Sequence, residues 1–352
     1  MKRLAIYFGS AVVGLLAVVF VSAAILGTSE RPAPPITAGV TQLSLAAPHR
    51  DVPLPVTLWY PTPSRNEPTL LGQNALFYGA YAQIDAVPAP SALPVVLLSH
   101  GSGGNAVRLG WLATDLANKG FIVAAVDHPG TRSRDSDPFQ TIKIWERPDD
   151  LSLVLDMLDQ TPPVGLEVDM GRVGIIGFSL GGQTALAMSG VQYEKDAFIR
   201  YCAANAGQHD CGWMQAAGVD FAQIDQTRYE ADHSDPRIGA TVAVDPAGGR
   251  AVAESSTLTT KSLVINLGAA GSIPEAMRAD DLAAAWGTEY MTVPDSWHFS
   301  FLADCSQLGR IMMWVAGEDA ICSDVNGRDR RSVHRELNAA IGDFFTGAIG
   351  AP

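Results

Sequence analysis

The run Gly177-Phe178-Ser179-Leu180-Gly181 lies between an apolar stretch, Val173-Gly174-Ile175-Ile176, and a helix-forming one, Gly182-Gln183-Thr184-Ala185-Leu186. A strand that turns at once into a helix strains the residue at the corner, and the residues two positions either side must be small. Gly177 and Gly181 meet that demand, and Gly182 lets the helix approach the sheet. Such a corner lifts the serine hydroxyl above the sheet edge. It also sets the serine against a helix N-terminus, whose positive potential favours a developing oxyanion. Ser179 is therefore read as a nucleophile on an elbow between a parallel strand and its following helix.

The rest of the chain fits a fold that such an elbow requires. Pro94 to Ser99, Phe121 to Val126 and Arg172 to Phe178 read as buried strands, and helical patterns follow at 106–119, 148–159 and 180–188. Three strand-then-helix units in succession predict a doubly wound, mostly parallel α/β sheet. Val40 to Leu45 and Leu54 to Tyr60 alternate as an antiparallel edge pair, and 61–92 reads as a long connection. Between 191 and 238 the alternation breaks into polar sequence, read as a helical cap insertion. Strands resume at 240–244, 262–267 and 289–293, with a mostly helical stretch at 274–286 and a closing helix at 330–346. The hydrolase-type domain is bounded at 40–348, after a linker at 31–39.

A serine hydroxyl needs a base and an orienting acid, which in this fold follow it in the order acid, then histidine. His298, in Pro294-Asp295-Ser296-Trp297-His298-Phe299, comes just after the last strand and is the candidate base. His334 falls in the closing helix and reads as a surface residue. The loop after 262–267 is Gly268-Ala269-Ala270-Gly271-Ser272 and holds no carboxylate. One strand earlier, Val242-Ala243-Val244 runs into Asp245, at the strand end where ligands bind in open α/β sheets. Asp245 is the candidate acid, with Asp280 and Asp281 as the other carboxylates in range. His100-Gly101-Ser102-Gly103-Gly104 follows the first buried strand, so the backbone N–H groups of Ser102 and Leu180 are the candidate oxyanion donors. His100 is read as ordering that loop. His128, at the end of the next strand, is read as lining the site with a possible substrate contact. Trp297, Phe299 and Phe301 flank the base and are candidates for the acyl pocket or for core.

Composition narrows the partners. With 24 Lys and Arg against 37 Asp and Glu the net charge is −13, unsuited to nucleic acid or anionic surfaces. After Lys2 and Arg3 no charge appears until Glu30, so 1–30 reads as a signal peptide or an N-terminal membrane anchor. Either places the domain outside the cytoplasm, secreted, periplasmic or tethered to the inner membrane. Four cysteines allow three disulfide pairings; local pairs, 202 with 211 and 305 with 322, are preferred and suit an oxidising compartment. No cysteine or histidine spacing suggests zinc, and the triad requires no cofactor.

Together, Ser-His-Gly-x-Gly, Asp-His-Pro-Gly, Gly-Phe-Ser-x-Gly-Gly, Val-Asp-Pro-Ala and a late His-Phe-x-Phe resemble the platelet-activating-factor acetylhydrolase-like branch of the α/β-hydrolases. Bacterial members of that branch are often labelled predicted dienelactone hydrolases. The resemblance covers roughly 40–346. It implies an acid at Asp245, an oxyanion donor at Ser102 and esterase chemistry on a small or lipid-like ester. Dienelactone hydrolases proper carry cysteine where Ser179 stands. The same triad would serve acyl transfer or cleavage of amides and polyesters. A catalytically silent, tethered binding module would have lost a triad member, and none is missing.

Overall fold

The computed structural model describes residues 33–350 except 208, 270 and 318. The segment read as signal or anchor lies outside the described residues. No helix among those described is long and apolar enough to cross a membrane. In chain order the strands are β1 (Gly39–Leu45), β2 (Leu54–Tyr60), β3 (Thr69–Leu71), β4 (Ala80–Ile84), β5 (Leu93–Ser99), β6 (Ile122–Val126), β7 (Val168–Phe178), β8 (Ile238–Val244), β9 (Lys261–Leu267) and β10 (Glu289–Val293). The main helices are α1 (Gly110–Asn118), α2 (Glu146–Gln160), α3 (Leu180–Met188), α4 (Lys195–Ala204), α5 (His209–Ala216), α6 (Asp280–Trp286), α7 (Gln307–Ala316) and α8 (Arg330–Ile349).

Among the described residues the strands form one sheet in the order β10-β9-β8-β7-β5-β6-β2-β1-β4-β3. From β6 to β10 every pairing is parallel, while β2 joins β6 and β1 antiparallel. Every residue of β5 and β6 is buried, because helices cover both faces. Alternate residues divide between them. Val96, Leu98, Val123 and Ile176 pack with Leu112 and Leu116 of α1 and Leu337 and Phe345 of α8. Val95, Leu97, Ile122 and Ile175 pack on the other face with Leu151, Val154 and Leu155 of α2 and Ala185 of α3. Each fully buried aliphatic side chain contributes about 1.5–3 kcal/mol to this arrangement.

Four expectations change. The stretch 61–92 contains β3 and β4, and β4 pairs parallel with β1, so β1 and β2 are not the sheet edge. Both added strands are short and partly polar, a pattern weak in sequence. Residues 106–109 form a 3-10 turn before α1. Only Asp280–Trp286 of 274–286 is helical. His334 is not on the surface: it is buried, stacked on Trp111 at 3.8 Å between centroids, and its Nε2 donates to the carbonyls of Ser300 and Leu302. A helix that packs on a sheet turns polar positions inward too, and that face is not visible from composition.

Between α3 and β8 lie α4, α5 and the single helical turn Gln226–Tyr229, pinned by the disulfide Cys202–Cys211. Phe198, Met214, Phe221 and Tyr229 form a small core of their own there, joined to Leu186 and Ala187 of α3. A second disulfide joins Cys305 to Cys322, flanking α7.

Candidate active site

Ser179 stands at φ 57°, ψ −118°, a positive-φ conformation that costs an L-residue energy and persists only where neighbours enforce it. They do so here. The Ser179 N–H donates to the Val244 carbonyl (2.9 Å), and its carbonyl accepts from the N–H groups of Gln183 (3.1 Å) and Ala247 (3.0 Å). The turn is closed so tightly that a Cβ on Gly177 would lie 1.8 Å from the Gly181 oxygen. One on Gly181 would lie 1.9 Å from the Ser99 oxygen. Leu180 opens α3, so its N–H has no partner four residues back within the helix. Ser102, in the turn after β5, lines the same cavity as Ser179, Leu180 and His298.

Asp245 ends β8, and its backbone N–H is held by the Ile265 carbonyl of β9 at 2.8 Å. Its carboxylate is buried and divided between two tasks. Oδ1 accepts from Asn266 Nδ2 (2.9 Å) and the Leu267 N–H (2.8 Å), leaving Oδ2 for His298 Nδ1 at 3.0 Å. Asn266 is itself fully buried, donating also to the Met277 carbonyl and accepting from the Ala279 N–H and Tyr290 hydroxyl. It thereby locks the rotamer of Asp245. No sequence argument singled it out, although a lone amide in Leu263-Val264-Ile265-Asn266-Leu267 is the kind of buried polar residue that needs a reason. Asp280 and Asp281 are exposed on α6 and pair with Arg278 and Arg250 instead. Among the described residues no hydrogen bond joins Ser179 Oγ to His298; both side chains line the same two cavities. The His298 ring packs at 4.6 Å on Phe178, which in turn stacks on the buried Phe301.

Those cavities meet at Ser179. One, of about 310 Å³, lies toward the α4–α5 insertion and is walled by Phe198, Trp213, Met214, Tyr229, Trp297 and Phe299. The other, of about 340 Å³, runs over the Gly101–Gly104 turn beside Phe77, Asn105 and Arg108. Trp297 and Phe299 are cavity wall, whereas Phe301 is core. The wall residues from the insertion and from 141–144 were not anticipated, since nothing in the local sequence says which loop folds over a site.

His128 is a correction. It is fully buried and borders neither cavity. Its Nδ1 donates to Asp150 Oδ2 (2.8 Å), and its Nε2 accepts from the Ser99 hydroxyl (3.1 Å). Burial, with Arg147 nearby, drops its pKa to about 3, so the ring is neutral. Burial alone would raise the Asp150 carboxyl, but hydrogen bonds from His128, His49 and Arg50 hold it well below the usual carboxylate range. Arg147, brought down to about 9 by burial, donates to the His100 carbonyl at 2.5 Å. His100 Nδ1 donates to the Gly101 carbonyl at 2.7 Å, and its Nε2 accepts the His128 N–H. The whole network therefore sits beneath the turn that carries Ser102. Among the described residues no group of three His, Cys, Asp or Glu side chains is placed to hold a metal ion.

No protein-family model matches the chain. Among solved structures it is similar to a ferulic acid esterase from Streptomyces cinnamoneus, at 22% identity and TM-score 0.60, over 91% of this chain and 92% of that one. It also aligns, at 16% identity and TM-score 0.46, with a putative dipeptidyl aminopeptidase IV from Bacteroides ovatus, over 89% of this chain and 36% of that one. Sheet order, elbow and the esterase likeness together give this chain the α/β-hydrolase fold.

Proposed function

We propose that the protein is a serine hydrolase of carboxylic esters, with Ser179 as nucleophile, His298 as base and Asp245 as orienting acid. The observation that carries this reading is the Asp245–His298 hydrogen bond facing a cavity that Ser179 shares from a strained elbow. Ser179 Oγ attacks the carbonyl carbon while its proton passes to His298 Nε2. The N–H groups of Ser102 and Leu180 stabilise the oxyanion. The C–O bond to the alcohol then breaks, and the proton on His298 goes to the departing oxygen. Water, deprotonated by His298, then attacks the acyl carbon, the bond to Ser179 Oγ breaks, and the proton on His298 returns to Oγ as the acid leaves.

The position of Asp245 after β8, with no carboxylate in 268–272, supports placement near the platelet-activating-factor acetylhydrolase-like branch. A small or lipid-like ester matches the largely apolar wall of the 310 Å³ cavity. Two disulfides and the apolar N-terminal sequence support action outside the cytoplasm, with a membrane contact through residues 1–30 if these are retained. Incubation of the purified full chain with a fluorophosphonate probe tests the reading. Wild-type protein labels and Ser179→Ala does not; equal labelling of the two would overturn it.

A further inference from the structure

The two cavities that meet at Ser179 differ in charge. The one under the α4–α5 insertion has no acid, lysine or arginine in its wall and is largely aromatic and aliphatic. The one over the Gly101–Gly104 turn also contains no acid, yet it contains Arg108. The chain holds 37 acidic residues, and arginines such as Arg50, Arg237 and Arg330 have carboxylate partners. Arg108 has none among the described residues. Its Nη1 donates to the Gly72 carbonyl at 2.6 Å, and its guanidinium lies 4.6 Å from the centre of the Phe77 ring. These contacts fix the side chain without neutralising it. Burial, and after it the positive charge of Arg134, lowers the Arg108 pKa. Asn105 and Ser133 add polar side chains to the same wall, while Gly103 leaves the wall open where a side chain would otherwise stand.

We infer that the loop-side cavity is an anion subsite in which Arg108 binds a carboxylate or phosphate-like group on the alcohol portion of the ester, the apolar acyl portion occupying the other cavity. This rests on the reading of Ser179 as nucleophile. A charged group belongs with the leaving alcohol because Gly103, which lines this cavity and not the other, is exposed, so this cavity gives a charged product a path into water. An uncharged aromatic chamber suits the part that stays on Ser179 through the acyl-enzyme, since stranding a charge there would cost several kcal/mol. Arginine suits the task because its planar fork matches both anions.

The test compares 4-carboxyphenyl butanoate with 4-carbamoylphenyl butanoate, esters alike in shape and different in charge. Each kcat/KM is divided by that ester's own hydroxide-catalysed rate. Wild-type protein favours the carboxylate about tenfold, the scale of one charge-assisted hydrogen bond at a partly wet site, and the preference shrinks with added salt. In Arg108→Gln the ratio collapses to within about twofold, and in Arg108→Lys, which keeps the charge without the fork, it is intermediate. A ratio near one in wild-type protein, or a tenfold ratio that survives Arg108→Gln, overturns the subsite. The two readings fail separately. If wild-type protein hydrolyses both esters equally and Ser179→Ala hydrolyses neither, only the subsite is wrong. If Ser179→Ala matches wild-type protein on both, the hydrolase reading falls as well.

Discussion

Among the described residues two Ser–His–Asp arrangements can be compared, and by hydrogen-bond geometry alone the one not proposed as catalytic is the better formed. Ser99, His128 and Asp150 are joined at 3.1 and 2.8 Å, with Asp150 also accepting from His49 and Arg50. Ser179, His298 and Asp245 are joined only at the His–Asp contact, 3.0 Å. Yet the first set is sealed in the core, and Ser99 ends an ordinary buried strand. The second lies where two cavities meet, with its serine at φ 57° on a helix N-terminus and with Ser102 and Leu180 in the same cavity wall. Triad geometry orients an imidazole wherever it occurs. Access, a strained corner and oxyanion donors are what make it chemistry.

Substitutions at matched positions test that contrast directly. Replacing the serines gives the largest separation. Ser179→Ala should lower kcat on a short p-nitrophenyl ester by about a million-fold, as loss of a triad nucleophile does. Ser99→Ala should stay within about tenfold of wild type, since it loses one buried hydrogen bond. A comparable collapse in both would leave the two serines functionally indistinguishable.

The acids should divide by kind of effect. Asp245→Asn, which disturbs the His298 tautomer, should lower kcat by about ten-thousand-fold while the melting temperature hardly moves. Asp150→Asn leaves Arg50 and its neighbours without their buried anion and should cost about 3–5 kcal/mol of stability in denaturant unfolding. A stable, active Asp150→Asn would show that the buried set is dispensable.

Acid is the next probe. The folded-state pKa of His128 lies near 3, below its ordinary 6.5, so the unfolded chain binds the proton first. The associated stability is complete above pH 6.5 and is lost as pH falls from there toward 3. One histidine contributes up to about 1.4 kcal/mol per pH unit in that window. His334 behaves alike. Melting curves at a series of pH values should slope accordingly, and His128→Gln should flatten the slope. An unchanged slope in that variant would refute the assignment.

Arg147 gives the smallest effect and joins the two regions. Its bond to the His100 carbonyl holds the turn that presents Ser102. Arg147→Met should reduce kcat about tenfold with KM little changed, as expected when an oxyanion donor is displaced slightly. A change confined to KM would assign the arginine to substrate binding instead.

Much of this was legible before folding. The elbow could be recognised because so tight a turn leaves a spacing of glycines, Gly177 and Gly181, where any Cβ would collide with backbone. That Asp245 and His298 come together could be expected because parallel strands deliver their C-terminal ends to one edge, so chain order becomes spatial order. His128 was misjudged on the same logic. It ends a parallel strand too, but α2 brings Asp150 onto its Nδ1 and draws the ring inward. Asn266 and the cavity walls left no local signal, because their roles depend on contacts far apart in the chain.

Local rules of periodicity, turn chemistry and strain thus determined, from the sequence by itself, an α/β sheet with a serine at its corner. Only the tertiary structure decided which of two Ser–His–Asp sets faces a cavity. It also decided that one of those cavities has no charged side chain in its wall and that the other contains an arginine with no carboxylate partner among the described residues. The physical reason is that exposure and charge balance are sums over neighbours from the whole chain. A residue's own sequence context contains almost none of those neighbours.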